Sequence, residues 1–152
     1  MNISAKSDYA VRAMLALAAD GTDRPVKGET LAGAQQIPAK FLENILMDLR
    51  RAGLVASQRG AEGGYRLGRP AKAITVADVI RAVDGPLANI RGIRPEAAEY
   101  DGAATALRDV WVAMRASLRS VLERVTLADV VAGTLPAPLR KLVGDPDAWE
   151  PH

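Results

Sequence analysis

Ala39, Lys40, Glu43 and Asn44 stand within one helical turn and a half of each other, next to a strongly basic stretch. Their types suit the edges of nucleic-acid bases. Glu43 can accept from a cytosine N4 amino group, and Asn44 can pair with adenine. Two simpler roles stay open for Glu43: a surface ion pair one helical turn away, or an acid near a helix start that complements the helix dipole. Arg59 is the strongest single candidate. A long cation beside the flexible Gly60 fits a minor groove. Arg50 and Arg51 are either phosphate contacts or solvated cations suited to the C-terminal end of a helix. Tyr65, just beyond the Gly-rich turn, completes the set of candidate contacts.

These residues need a helix and a hairpin to hold them. Pro38 to Ala52 reads as the helix. Pro38 suits its first turn, and Phe41, Leu42, Ile45, Leu46 and Leu49 recur at helical spacing as its apolar face. Gly53 is placed to end it in a left-handed conformation. Leu54–Ser57 and Tyr65–Leu67 read as strands around the turn Arg59–Gly64. A short helix over 27–35, with Leu31 and Ala34 facing in, precedes it through a turn at Gln36-Ile37. Two helices joined in this way make a helix-turn-helix, and the added hairpin makes it winged. From Arg50 to Lys72 six basic residues face one acid, Glu62. By itself such a run is an ordinary solvated surface. Beside a helix and hairpin it is a phosphate-neutralising one.

Two further helices complete the N-terminal part. The first runs to about Ala19, capped by Ser4 or Ser7, with Ala10, Val11, Met14, Leu15, Leu17 and Ala18 as its stripe and Gly21 at its end. The other is capped by Thr75, with Asp78 three residues on. It shows Val76, Val79, Ile80 and Val83 on one face and is stopped by Asp84-Gly85-Pro86.

The chain resembles the Rrf-two family of bacterial winged-helix transcription regulators, over residues 1 to about 132. The resemblance rests on Ser7-Asp8-Tyr9-Ala10, on Ile37 to Glu43, on Leu49 to Val55, and on Arg59-Gly60 with Gly63 to Leu67. It continues through Ile74 to Ile80, Val83 to Pro86 and Thr126 to Asp129. It implies a regulator that reads DNA with the helix carrying Glu43. Many relatives hold an iron–sulfur cluster on three cysteines after the fourth helix, and in some an acid of the first helix adds a ligand. Asp8 occupies such a place, yet this chain has no cysteine. Carboxylates alone do not suit a soft iron–sulfur site. The resemblance is therefore to a cluster-free branch, with no cofactor, regulated by a small-molecule or protein effector. Asp8 is then a structural or capping residue.

Residues 87–102 show no clear period and read as a loop. A long helix over 103–125 follows. Leu107, Trp111, Met114, Leu118, Val121 and Val125 alternate spacings of four and three, a heptad seam that suits pairing with a second copy. The alternative is a helix packed within its own chain. Trp111, Tyr100, Arg91 and Arg94 could line a pocket beside it, although ordinary packing with solvated arginines is the stronger reading. Thr126 caps a short final helix ended by Gly133, and the prolines from Leu135 onward suggest a loosely ordered tail.

Composition excludes much else. With no cysteine and His152 as the only histidine, thiol catalysis, disulfides and cysteine-ligated metals are out. Gly63-Gly64 lacks the lysine and serine or threonine of a phosphate-binding loop, and no nucleophile elbow occurs. An enzyme is not expected. No apolar run spans a membrane and no signal-peptide pattern opens the chain, so a cytoplasmic location is expected. Net charge is only +2, but residues 1–84 hold twelve Lys/Arg against nine Asp/Glu, and residues 85–152 hold eight against nine. The expected architecture is mostly α with a small β-hairpin wing. A winged helix-turn-helix DNA-binding domain spans 1–84, a sensor loop 85–102, a dimerisation helix with a short docking helix 103–133, and a flexible tail 134–152. The expected function is a homodimeric, sequence-specific regulator, a repressor, on an imperfectly palindromic double-stranded DNA site. A winged-helix protein–protein interaction module without DNA binding is the alternative.

Overall fold

The computed structural model of the chain describes residues 2–152. Ser4 opens α1 (Ala5–Asp20) by accepting the Ser7 N–H on its side chain, and Gly21 closes it at φ 63°. Ser7 is not the cap. It is buried, and its hydroxyl donates to Asp84 at 2.6 Å. The helix-turn-helix pair is α2 (Gly28–Gln35) and α3 (Ala39–Arg51). The turn is made by Gln36 at φ 53°, and the Ile37 N–H donates back to the Ala32 carbonyl at 2.9 Å. Leu31 is buried as expected. Ala34 is exposed, and Ala32 packs against the core in its place.

Pro38 caps α3 rather than forming its first turn, its carbonyl accepting from Leu42 at 3.0 Å. Leu42, Ile45, Leu46 and Leu49 are buried. Phe41, expected with them, is 49% exposed. It lies about 100° around the helix from Leu42, which carries it to the flank, where its ring meets Tyr9 edge-on at 5.9 Å.

After Gly53 (φ 74°) come β1 (Val55–Gln58) and β2 (Gly64–Leu67), each starting or ending one residue from expectation. They pair antiparallel, Val55 opposite Leu67 and Gln58 opposite Gly64. Tyr65 also bridges to Val26 on the other edge, with bonds of 2.7 and 2.8 Å. That approach requires Gly64. A Cβ there would stand 2.5 Å from the Val26 carbonyl oxygen.

The remaining helices are α4 (Val76–Asp84), α5 (Leu107–Leu122), α6 (Leu127–Ala132) and α7 (Ala137–Val143). Ile74-Thr75-Val76-Ala77-Asp78-Val79 and Val125-Thr126-Leu127-Ala128-Asp129-Val130 are near-repeats. Each builds a capping box, in which the threonine side chain accepts from the aspartate N–H and the aspartate carboxylate accepts from the threonine N–H. The two boxes lie side by side. The Val76 N–H donates to Val125 and the Leu127 N–H to Ile74, both at 2.9 Å. The core gathers around α1, which touches α2, α3, α4, α6 and β2.

This stitching corrects three expectations. The domain expected over 1–84 does not hold the core alone, because Leu127 of α6 is fully buried within it. The long helix spans 107–122 and not 103–125. Gly102–Ala104 forms a 3-10 turn, and the extended Thr126 must start the next capping box. Val125 therefore falls outside the helical seam and is buried, its carbonyl spent on the start of α4. The other seam residues, Leu107, Trp111, Met114, Leu118 and Val121, are all half-buried, and α5 has no fully buried residue. It lies over the 3-10 turn Pro95–Ala97 and α4.

The segments expected to be irregular are folded. Within 87–102, Ile90 bridges Ile93, and Ala88, Pro95 and Ala98 are buried. The tail, expected to be flexible, forms α7 and a 3-10 turn over Pro146–Trp149. Pro136, Pro138 and Pro146 stand at helix starts, where the missing N–H is not needed, and Pro151 lies beyond the last turn. Leu139 is buried, and the Trp149 indole N–H donates to the Val143 carbonyl at 2.7 Å. Among the described residues no helix is long and apolar enough to cross a membrane.

Candidate nucleic-acid interface

The buried face of α3 leaves the opposite ridge to solvent. Lys40, Asn44, Met47 and Arg51 follow one another there at helical spacing, and all are exposed, with Glu43 and Ala39 on the flank toward the hairpin side. Among the described residues, Lys40 and Glu43 form no ion pair. A surface pair for Glu43 thus finds no partner. Sequence reading passed over Met47, which is 40% exposed. The signal was available, since Met47 lies seven residues after Lys40 on the ridge facing away from Leu42 and Leu49.

Arg50 and Arg51 separate. Arg51 ends the exposed ridge and pairs loosely with Asp48 at 3.7 Å. Arg50 turns toward the strand β1, donating to Ser57 Oγ at 3.2 Å. Arg59 sits exposed in the hairpin turn, closed by the Gly63 N–H donating to Gly60 at 3.0 Å. Gly63 is buried there, and a Cβ on it would strike the Gln58 carbonyl. This accounts for the Gly-Gly pair by sterics alone. Arg59, Arg66 and Arg69 of the wing form no ion pair among the described residues, so their charge is free to meet an anion.

Tyr65 has a different place from the other candidates. Its ring is partly buried in a cleft of about 250 Å³ with Gly28, Ala39, Leu42, Glu43 and Leu46. It wedges the wing against the starts of α2 and α3. Asp8 pairs with Arg12 at 3.0 Å, and Arg12 also donates to the Gln35 carbonyl at 2.9 Å and lies 4.8 Å over the Tyr9 ring. The cation thus meets the C-terminal carbonyl of α2. Lys6 holds α3 from behind, its Nζ donating to Asp48 at 2.7 Å and to the Val83 carbonyl at 3.1 Å. The four residues suggested for a pocket by the long helix do not gather. Trp111 donates to the Tyr100 hydroxyl at 3.1 Å, Arg91 stands exposed at φ 52°, and Arg94 lines a cleft with Arg115.

A family model described as Rrf2, iron-dependent transcriptional regulator, matches residues 3–133. Rv1287 of Mycobacterium tuberculosis, named as an HTH-type transcriptional regulator, is 53% identical over 150 residues, covering 99% of this chain and 93% of that protein. CymR of Bacillus subtilis is 34% identical over 134 residues, 88% of this chain and 92% of that protein. In structure the chain is similar to CymR (YrzC), the global cysteine regulator of B. subtilis, with a TM-score of 0.74, 34% identity and coverage of 88% and 98%. It is also similar to IscR of T. potens, with a TM-score of 0.70, 34% identity and coverage of 88% of each chain.

The family description invokes iron, and the donors here do not fit an iron–sulfur cluster. There is no thiol in the chain, and its one histidine is the last residue. In the segment after α4 the candidate donors are the carboxylates Glu96, Glu99 and Asp101, and Glu96 is engaged by Arg115. Among the described residues no group of three or more His, Cys, Asp or Glu side chains gathers as a metal site. With its matched span, its close relatives and its helix-turn-helix with a wing, the chain belongs to the Rrf2 family of transcriptional regulators.

Proposed function

We propose that this protein is a sequence-specific, double-stranded-DNA-binding repressor that works as a homodimer without an iron–sulfur cluster. One observation carries the reading. The second helix of the helix-turn-helix shows solvent an unobstructed ridge, Lys40–Asn44–Met47–Arg51, flanked by Glu43, with the unpaired Arg59 on the adjoining wing. The ridge meets base edges in a major groove, Arg59 enters the neighbouring minor groove, and Arg50 and Arg66 meet phosphates. Tyr65 acts by holding the wing at its angle. Support for pairing comes from α5, whose apolar residues Leu107, Trp111, Met114, Leu118 and Val121 are only half-covered by their own chain, while Val110 is 54% exposed. A two-fold dimer would bind an imperfect palindrome.

The test is fluorescence anisotropy on labelled DNA from upstream of the chain's own gene, beside a scrambled duplex, at several salt concentrations. Binding tighter to the first by a factor of about 10³ or more is expected. Equal and weak binding to both would overturn sequence-specific recognition of that region. Sedimentation of the chain, with and without Leu118→Glu, reads the dimer. A monomeric wild type would remove that part of the reading.

A further inference from the structure

Four guanidinium groups converge on one open cleft of about 520 Å³. They come from three separate elements: Arg81 from α4, Arg94 from the segment before the Pro95–Ala97 turn, and Arg115 and Arg119 from α5. Backbone from Gly85 to Ala88 forms another wall. Two carboxylates answer the four cations. Glu96 pairs with Arg115, and Glu123 pairs with Arg81 and, at 3.0 Å, with Arg119. Arg94 forms no ion pair among the described residues. Both carboxyls are held below the usual carboxylate range. Glu96 is lowered first by a backbone hydrogen bond and then by Arg115, and Glu123 first by Arg81 and then by Arg119. They stay ionised near neutrality, and the cleft keeps a surplus of two positive charges.

We infer that this cleft binds a small, doubly negative anion of the size of a dicarboxylate or phosphate monoester, with Arg94 and Arg115 as its principal forks. Guanidinium groups match carboxylate and phosphate oxygens bidentately. The volume lies in the range of small-molecule sites. A local excess of two cations calls for a dianion to neutralise it. The inference deepens the regulator reading by giving a chemical class to its effector. The location suits that role. The Gly85–Ala88 wall follows directly on Asp84, which accepts from the hydroxyls of Ser4, the cap of α1, and of Ser7 within it. It also follows Val83, whose carbonyl shares Lys6 with Asp48 on α3. An occupant pressing on that wall is thus linked, through the two hydrogen bonds of Lys6, to the helix that bears Lys40 and Asn44.

The test contains no DNA, so it stands apart from the DNA-binding reading. The full chain is titrated by calorimetry with succinate and with inorganic phosphate, and acetate serves as the monoanion control at matched ionic strength. Arg94→Gln is the informative variant, because Arg94 holds no ion pair whose loss could unfold α5. Lys141→Gln, on α7 and outside the cleft lining, controls for general charge. Saturable binding of at least one dianion, weakened tenfold or more by Arg94→Gln and unchanged by Lys141→Gln, is the expected result. Dianion binding no stronger than acetate, or equal in wild type and a folded Arg94→Gln variant, would overturn the inference.

Discussion

Replacing Arg59 by alanine separates the binding role proposed for the wing from its folding role. Arg59 is exposed, precedes Gly60 in the turn and forms no hydrogen bond or ion pair among the described residues. Its truncation should change stability by no more than about 0.5 kcal/mol. Its loss from a DNA complex should be large. A cation lodged in the minor groove still neutralises about one phosphate charge, which contributes about 0.9 to the slope of log affinity against log salt. In the proposed dimer, two protomers each losing one would flatten that slope by about 1.8. Raising salt fourfold, from about 50 to about 200 mM, should then narrow the gap between wild type and mutant roughly twelvefold. At the lower salt the mutant should be weaker by about 1–3 kcal/mol for each lost contact. Anisotropy titrations on the specific and scrambled duplexes read both quantities. A minor-groove role further predicts a greater loss on the specific duplex, because groove width depends on sequence. Superimposable titrations for wild type and a folded Arg59→Ala variant, with the same salt slope, would refute the reasoning.

Gly64→Ala should act through geometry. The new Cβ would stand 2.5 Å from the Val26 carbonyl, so the bridge to Val26 must open, at a cost of about 1–3 kcal/mol; an unchanged melting temperature would show that the wing gives way freely. Glu43→Ala should alter base preference across a panel of operator variants while leaving the salt slope in place, and an unchanged preference would assign Glu43 to the surface. Leu127→Ala should destabilise by about 2–5 kcal/mol, because Leu127 is 0% exposed, whereas Leu142→Ala should stay within about 0.5 kcal/mol; equal effects in denaturant melts would mean that α6 is not part of the core. Glu123 has its carboxyl held below the usual carboxylate range, chiefly by Arg81. Its tie therefore strengthens the fold above the unfolded value and is lost as pH falls through the folded one. A Glu123→Gln variant should differ from wild type in melting temperature at pH 7 and converge with it in acid, and a difference that persists in acid would deny the ion pair its role.

Helix and hairpin were legible because each is specified locally. The period of Leu42, Ile45, Leu46 and Leu49 buries one side of α3, and so also names the ridge left outside. Thr75 with Asp78 and Thr126 with Asp129 announce helix starts through bonds three residues long. Gly63-Gly64 marks a tight turn. The errors have equally local causes. Pro136, Pro138 and Pro146 read as breakers, and the structure places them at the starts of helical turns. Val125 kept the heptad spacing, which cannot register that the next residue is extended.

By itself, the sequence determined the winged helix-turn-helix, the exposed cations of α3 and the wing, and the absence of thiol chemistry. These follow from residue type and from contacts within a few positions. Only the tertiary structure decided that α6 belongs to the core, that Tyr65 is a wedge and that Lys6 ties α4 to α3. It also decided that Arg81, Arg94, Arg115 and Arg119 share one cleft. Arg81 and Arg119 stand 38 positions apart in the chain, and no local period links them. Their convergence depends on how α5 folds back over α4, which is settled by packing and by the ion pairs of Glu96 and Glu123.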